Sequence, residues 1–192
     1  MQKVVLATFI MGALLTSGVA NAELLQHSLS AGYAQSHAKL DGHGYGYGQS
    51  EDLSGFNVKY RYEMNDNWGV VTSFVYTNHG KDYNMMLPNS TGVLEKTKVA
   101  SYDLDYMSLT VGPSYRFNDY LSAYTLIGVG YGKANVWLDG LGSASKHKAS
   151  VAYGAGFQIN PMPNLVLDAS YEYSKLDDVK VGTWMAGIGY RF

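Results

Sequence analysis

The sequence predicts an all-β chain: an eight-stranded antiparallel transmembrane β-barrel of the up-and-down kind. Three observations predict it. After the first 22 residues the chain alternates between two kinds of side chain with a period of two, the mark of strands whose faces meet different surroundings. No stretch of about 18 apolar residues follows Ala22, so no helix is long enough to span a bilayer. A membrane protein without such a helix must close its strands into a barrel, because lipid cannot satisfy open backbone groups. Finally, the charged residues of the alternating segments lie on the face opposite the aromatic ones, the inverse of a soluble lipocalin-type barrel.

The first residues form an export leader. Lys3 supplies the positive start, Val4 to Val19 is almost wholly apolar or small, and Ala20-Asn21-Ala22 is a small-x-small cleavage site. Residues 1–22 are therefore expected to be removed as a signal peptide, leaving 23–192 as one outer-membrane barrel domain with no linker. With an exported N-terminus, both mature termini are expected in the periplasm and the long loops outside the cell.

The strands follow in order. The first, near Leu25 to Ser36, is the least regular, with Leu29, Ala31 and Tyr33 opposing Ser28, Ser30 and Gly32. In the second, Phe56, Val58, Tyr60 and Tyr62 oppose Asn57, Lys59, Arg61 and Glu63. The third sets Val70, Thr72, Phe74 and Tyr76 against Val71, Ser73 and Val75. The fourth sets Met107, Leu109, Val111, Pro113, Tyr115 and Phe117 against Ser108, Thr110, Gly112, Ser114 and Arg116. The fifth sets Leu121, Ala123, Ile127, Val129 and Tyr131 against Ser122, Tyr124, Gly128, Gly130 and Gly132. In the sixth, Val151, Tyr153, Ala155 and Phe157 oppose Ala152, Gly154, Gly156 and Gln158. The seventh opposes Leu165, Leu167, Ala169, Tyr171 and Tyr173 to Val166, Asp168, Ser170 and Glu172. The last opposes Trp184, Ala186, Ile188, Tyr190 and Phe192 to Thr183, Met185, Gly187, Gly189 and Arg191.

Connections alternate in length. Short turns fall at Met64-Asn65-Asp66-Asn67, Asn118-Asp119 and Pro161-Met162-Pro163-Asn164, all rich in turn-forming residues. Longer connections are expected over His37 to Ser50, Gly80 to Lys98 and Ala134 to Lys148, with a brief one near Lys175 to Val179. Short turns on one side and long loops on the other are the layout of an outer-membrane barrel.

Lys59, Arg61, Glu63, Arg116, Asp168, Glu172 and Arg191 all share the face rich in glycine and serine. A charge on the lipid side would cost about 2–4 kcal/mol near the bilayer midplane, so this face is the interior and these residues its ionic network. An eight-stranded barrel is just wide enough to be filled by its own side chains, which favours a polar plug over an ion pathway.

Composition narrows the function. The formal net charge of −2 gives no reason to expect a nucleic-acid partner, and the chain has no cysteine. Gly128, Gly130 and Gly132 imitate a nucleotide fingerprint, but no helix follows them. The histidines His27, His37, His43, His79 and His147 have no metal-ligand spacing, and none is expected within the later strands, where a lipid-modifying barrel enzyme would need a base beside a serine. No catalytic residue, cofactor or metal is expected. The lysines Lys81, Lys96, Lys98, Lys133, Lys146 and Lys148 in the predicted loops suit lipopolysaccharide phosphates or sulfated host glycans, diluted by acidic neighbours such as Glu95 and Asp139. The Gly/Tyr run Gly42 to Gly48 offers tyrosine surface for a partner.

Several segments resemble the Ail/OmpX/Lom family of small outer-membrane proteins, which includes PagC-like virulence proteins. They are Gly32 to Ser36, Gly55 to Glu63, Val111 to Asp119, Gly128 to Lys133, Tyr153 to Pro161, and the closing Val181 to Trp184 and Gly189 to Phe192. They keep family order over nearly the whole mature chain. The resemblance implies a bacterial cell-surface protein active in host-cell or matrix adhesion, invasion and complement resistance. Its implied partners are outer-membrane lipid and lipopolysaccharide, and host extracellular-matrix or complement-regulatory proteins. On that reading the binding parts are the second and third loops, with Lys96, Lys98, Trp137, Lys146 and Lys148 as candidates. The alternative is a structural barrel that tunes membrane stability without a dedicated ligand.

Overall fold

A computed structural model describes residues 26–40, 50–88, 94–138, 142–177 and 179–192. They form strands β1 (His27–Leu40), β2 (Ser50–Glu63), β3 (Trp68–Pro88), β4 (Leu94–Arg116), β5 (Leu121–Leu138), β6 (Gly142–Met162), β7 (Leu165–Leu176) and β8 (Val179–Arg191). Each pairs antiparallel with the next, and β8 returns to β1, with Ser28 opposite Arg191 and Leu40 opposite Val179. The eight-stranded barrel expected from the alternation is the observed fold. The leader expected at 1–22 and the run Gly42 to Gly48 lie outside the described residues.

One end carries the tight turns, the start of β1 and the C-terminal residue, these last two tied by a hydrogen bond from the His27 amide to the Phe192 carbonyl at 3.0 Å. The turns owe their shape to asparagines. Asn65 Oδ1 accepts from the Asn67 and Trp68 amides, and Asn118 Oδ1 from those of Tyr120 and Leu121. Each short side chain takes the place of a missing backbone partner.

The other end differs from expectation. The long connections are largely strand. β3 and β6 run 21 residues each and β4 runs 23, whereas a tilted strand crosses a bilayer in about 9–11. Gly80 to Pro88, Leu94 to Lys98, Ala134 to Leu138 and Gly142 to Lys148 are therefore extensions of the wall. Alternation of hydrophobicity fades there because neither face meets lipid, while the backbone ladder continues. The β3–β4 pairing shifts register between Tyr83 and Asn84, a bulge that accommodates Val99. β7 and β8 are joined through Asp177, whose φ of 54° lies in the left-handed region suited to a tight hairpin.

Outward-facing residues form the lipid surface. Leu109, Ile127, Val129, Val151 and Ile188 make a bare aliphatic band, and Phe157 and Trp184 also point outward, at 58% and 61% exposure. At the loop side a single register line carries Tyr33, Phe56, Tyr76, Met107 and Tyr131. At the turn side stand Tyr62, Trp68, Tyr115, Phe117, Tyr120 and Tyr190. Two aromatic girdles around an aliphatic belt are what the two bilayer interfaces select.

Candidate functional site

The inward face is stacked in layers. Nearest the turns, Glu63 gathers three arginines. Its Oε1 accepts from Arg116 Nη2 and lies 3.5 Å from Arg61 Nη2, and its Oε2 accepts from Arg191 Nη2 at 2.7 Å. Arg61 also donates to Gln158 Oε1 at 3.0 Å. One layer on, Lys59 Nζ donates to Asp168 Oδ1 at 2.5 Å and to Ser170 at 2.8 Å, while the Tyr124 hydroxyl donates to Asp168 Oδ2 at 2.8 Å. Glu172 accepts from Tyr106 at 3.0 Å and from Thr110 at 3.3 Å. Lys59, Arg61, Gln158 and Glu172 are at most 2% exposed, so these layers are packed solid.

A band of hydroxyls crosses the barrel without charge. Ser36 Oγ bonds Thr77 Oγ1 at 2.9 Å and Thr183 Oγ1 at 2.7 Å. Towards the loop end the lining turns apolar, with Leu53, Tyr106, Leu176 and Val181 buried together and Ala38, Leu104 and Val179 packed against them.

Two tyrosines break the rule that aromatics face lipid. Tyr124 and Tyr106 point inward, and glycines make room for them. A Cβ on Gly156 would lie 2.5 Å from the Tyr124 ring, and one on Gly130 would lie 2.9 Å from the Tyr106 hydroxyl. Leu126 is also inside, clustered with Val71 and Tyr124, while its neighbour Thr125 faces out. Tyr106 was legible in principle, since it falls in phase with Ser108 and Thr110.

The loop-end rim holds the expected partner-binding residues, as wall positions and not loop positions. Lys96 and Lys98 lie on β4, backbone opposite Met86 and Asn84, beyond the last β4–β5 pair at Ala100. Trp137 lies on β5 opposite Ser101 and Ser143. Lys146 and Lys148 are exposed on β6, and Lys148 Nζ is 2.6 Å from Asp177 Oδ2. All five therefore belong to three consecutive strands at one end of the barrel.

Around the rim, Glu51 accepts from Lys81 Nζ at 3.0 Å and has His79 Nε2 at 3.6 Å. The Lys81 hydrogen bond holds the Glu51 carboxyl below the ordinary carboxylate range, and Glu51 in turn raises the Lys81 ammonium. His37 is hydrogen-bonded to Asp52. His147 was expected outside the strands. It lies within β6 opposite Lys133, its ring stacked on Tyr131 at 6.3 Å.

The chain matches a family model described as outer membrane protein beta-barrel domain over residues 7–192. It is 48% identical to the attachment invasion locus protein of Yersinia enterocolitica over 194 residues, covering all of both chains. It is 42% identical to outer membrane protein X of Escherichia coli over 169 residues, 86% of this chain and 85% of the relative. Among solved structures it is similar to Ail, the attachment invasion locus protein of Yersinia pestis, determined in complex with the heparin analogue sucrose octasulfate. That similarity has a TM-score of 0.71 at 50% identity and covers 86% of this chain and 97% of the other. These relatives are outer-membrane barrel proteins and not known enzymes.

Proposed function

Because this chain belongs to the outer-membrane β-barrel family that holds the attachment invasion locus protein and outer membrane protein X, we propose that it attaches the bacterium to host cells or matrix. On this reading it also promotes invasion and protects against complement. The packed ionic layers of the lumen are scaffold. The working surface is the loop end, exposed outside the cell, where Lys96, Lys98, Trp137, Lys146 and Lys148 meet a polyanionic host surface and neighbouring lipopolysaccharide.

One observation carries the reading. Strand pairing holds the loop-end wall stiff, with Lys146 and Lys148 exposed on one face of β6, in a chain half identical to a protein solved with a heparin analogue. A rigid row of cations meets repeated sulfates at little entropic cost.

The test is expression on the surface of a non-adherent, serum-sensitive strain, beside an empty-vector control. Cells bearing the protein are expected to bind immobilised heparin and matrix protein and to survive serum. A Lys146→Glu/Lys148→Glu variant should bind heparin about tenfold more weakly at unchanged surface level, with the difference shrinking as salt rises. If expression changes neither binding nor survival, the chain is a wall protein tuning membrane stability, the second reading.

A further inference from the structure

The loop end of the lumen holds a cavity of about 390 Å³. That lies within the range of small-molecule sites, about 300–1,000 Å³. Strands β1, β2, β4, β5, β6, β7 and β8 all contribute to its wall. The lining is Leu53, Leu104, Leu176, Val179 and Val181, over a floor made by Tyr106. Side chains fill the lumen immediately below: a Cβ on Gly130 would meet the Tyr106 hydroxyl at 2.9 Å and Ser174 Oγ at 2.7 Å. Leu104 and Val179 are only half-buried, so part of the apolar lining is wetted through the mouth.

The polar groups around this chamber are spent on one another. The Tyr106 hydroxyl donates to Glu172 at 3.0 Å, and Ser174 is hydrogen-bonded to Ser150 at 2.6 Å. At the lip Glu51 holds Lys81 at 3.0 Å, and Asp177 holds Lys148 at 2.6 Å with Lys146 in electrostatic reach. Asp105 and Lys133 stand opposite each other on the outward face of the β4–β5 ladder, and Asp105 also accepts from the Tyr76 hydroxyl at 2.9 Å. The lip is therefore balanced in charge and gives neither sign a preferred seat. A carboxylate or an ammonium entering here has to open one of these pairs or surrender its own water. A hydrogen bond lost in that way is worth about tenfold in affinity. A hydrocarbon loses nothing of the kind and gains by taking the apolar lining out of water.

Balanced charge at the lip, saturated hydroxyls at the floor and wet aliphatic walls between them select one class of occupant. We propose that this cavity binds a single uncharged molecule, hydrocarbon over most of its surface and about ten carbons in size. It enters by the loop-end mouth and lies on Leu53, Leu176 and Val181. The occupant needs no contact with the lysines of the polyanion surface proposed above, and the site does not rest on that reading. Tyr106 sets the depth, so longer molecules of the same kind project into water and gain little.

The experiment uses the mature protein in nanodiscs of deuterated phospholipid, with protonated methyl groups, titrated with p-cymene at known free aqueous concentration. p-Cymene dissolved in the bilayer transfers magnetisation to the lipid-facing methyls of Leu109 and Ile188 in proportion to its concentration, an internal control. Transfer to Leu53, Leu176 and Val181 is expected to saturate. The analogues 4-isopropylbenzoate and 4-isopropylbenzylammonium keep the ring and add a charge of either sign. Each should bind in the lumen about tenfold more weakly than p-cymene, the two signs alike. An Ala134→Phe variant, shown to be folded by its heat-modifiable gel mobility, should lose transfer to the lumen methyls and keep it at the lipid face. Ala38→Phe serves if Ala134→Phe does not fold. Transfer confined to the lipid-facing methyls at every concentration, or lumen transfer undiminished in the folded filled variant, overturns the site. A charged analogue that binds as tightly as p-cymene overturns the uncharged class.

Discussion

Lys59 on β2 and Asp168 on β7 meet across the lumen, Nζ 2.5 Å from Oδ1, with both side chains only 1% exposed. Their strands are not neighbours in the sheet, so the pair braces opposite parts of the wall. Asp168→Ala is expected to lower unfolding stability by about 3–5 kcal/mol, because it strands an ammonium in a dry interior and frees the Tyr124 hydroxyl as well. Lys59→Met/Asp168→Leu should cost far less than the single change. Urea unfolding in vesicles, followed by tryptophan fluorescence, measures both. Equal losses would show that the brace is dispensable.

The fit of Tyr124 over Gly156 makes a second, steric prediction. Gly156→Ala puts a Cβ against the ring and should destabilise by about 1–3 kcal/mol, as overpacking does. Tyr124→Leu in the same chain should recover part of that loss. A double-mutant cycle gives the coupling, and strictly additive effects would refute the contact.

At the loop end the sign of a pH effect can be worked out. The hydrogen bond from Lys148 holds the Asp177 carboxyl below its ordinary 3.8. A carboxyl depressed in the fold contributes fully above its unfolded value and loses that contribution as pH falls through the lower folded value. The β7–β8 hairpin should therefore show unchanged amide protection between neutral and mildly acidic pH and loosen only below the ordinary carboxylate range. Carbon-detected titration of Asp177 should give a midpoint under 3.8 that returns upward in Lys148→Gln. A midpoint at or above 3.8 in the unaltered protein would dismiss the clasp.

On the outside, Val129→Arg puts a guanidinium in the aliphatic band and should cost about 2–4 kcal/mol of folding into vesicles. The same change at exposed Lys146 should be close to neutral. If the two arginines fold equally well, Val129 does not face hydrocarbon.

The strands and their inward and outward faces could be read from the sequence because lipid and lumen impose opposite demands on alternate residues. Phe157 and Trp184 outward, with Lys59 and Glu172 inward, follow from that demand alone. Where the demand ends, so does legibility. Lys96, Lys146 and His147 read as loop because both faces are wet beyond the bilayer, yet the ladder runs on through them. Leu126 and Tyr106 escaped for the opposite reason: they are greasy or aromatic, but serve an interior that is itself partly apolar, beside Val71 at the arginine level and beside Leu53 and Leu176 at the loop end. The convergence of three arginines on Glu63 was not readable at all, since it depends on the stagger that brings β2, β4 and β8 to one level.

The hydroxyl contact between Ser36 and Thr183 spans 147 positions of chain. It belongs to the β1–β8 seam, which can form only when the final strand has been delivered. No hairpin earlier in the chain can seal the cylinder, so every partial product carries two raw edges. Such a topology folds slowly, because remote segments must find each other before any reward is collected. The nascent molecule consequently needs an escort from synthesis to insertion, and shortening the C-terminus by a few residues should be felt first as a failure of arrival rather than as a loss of grip.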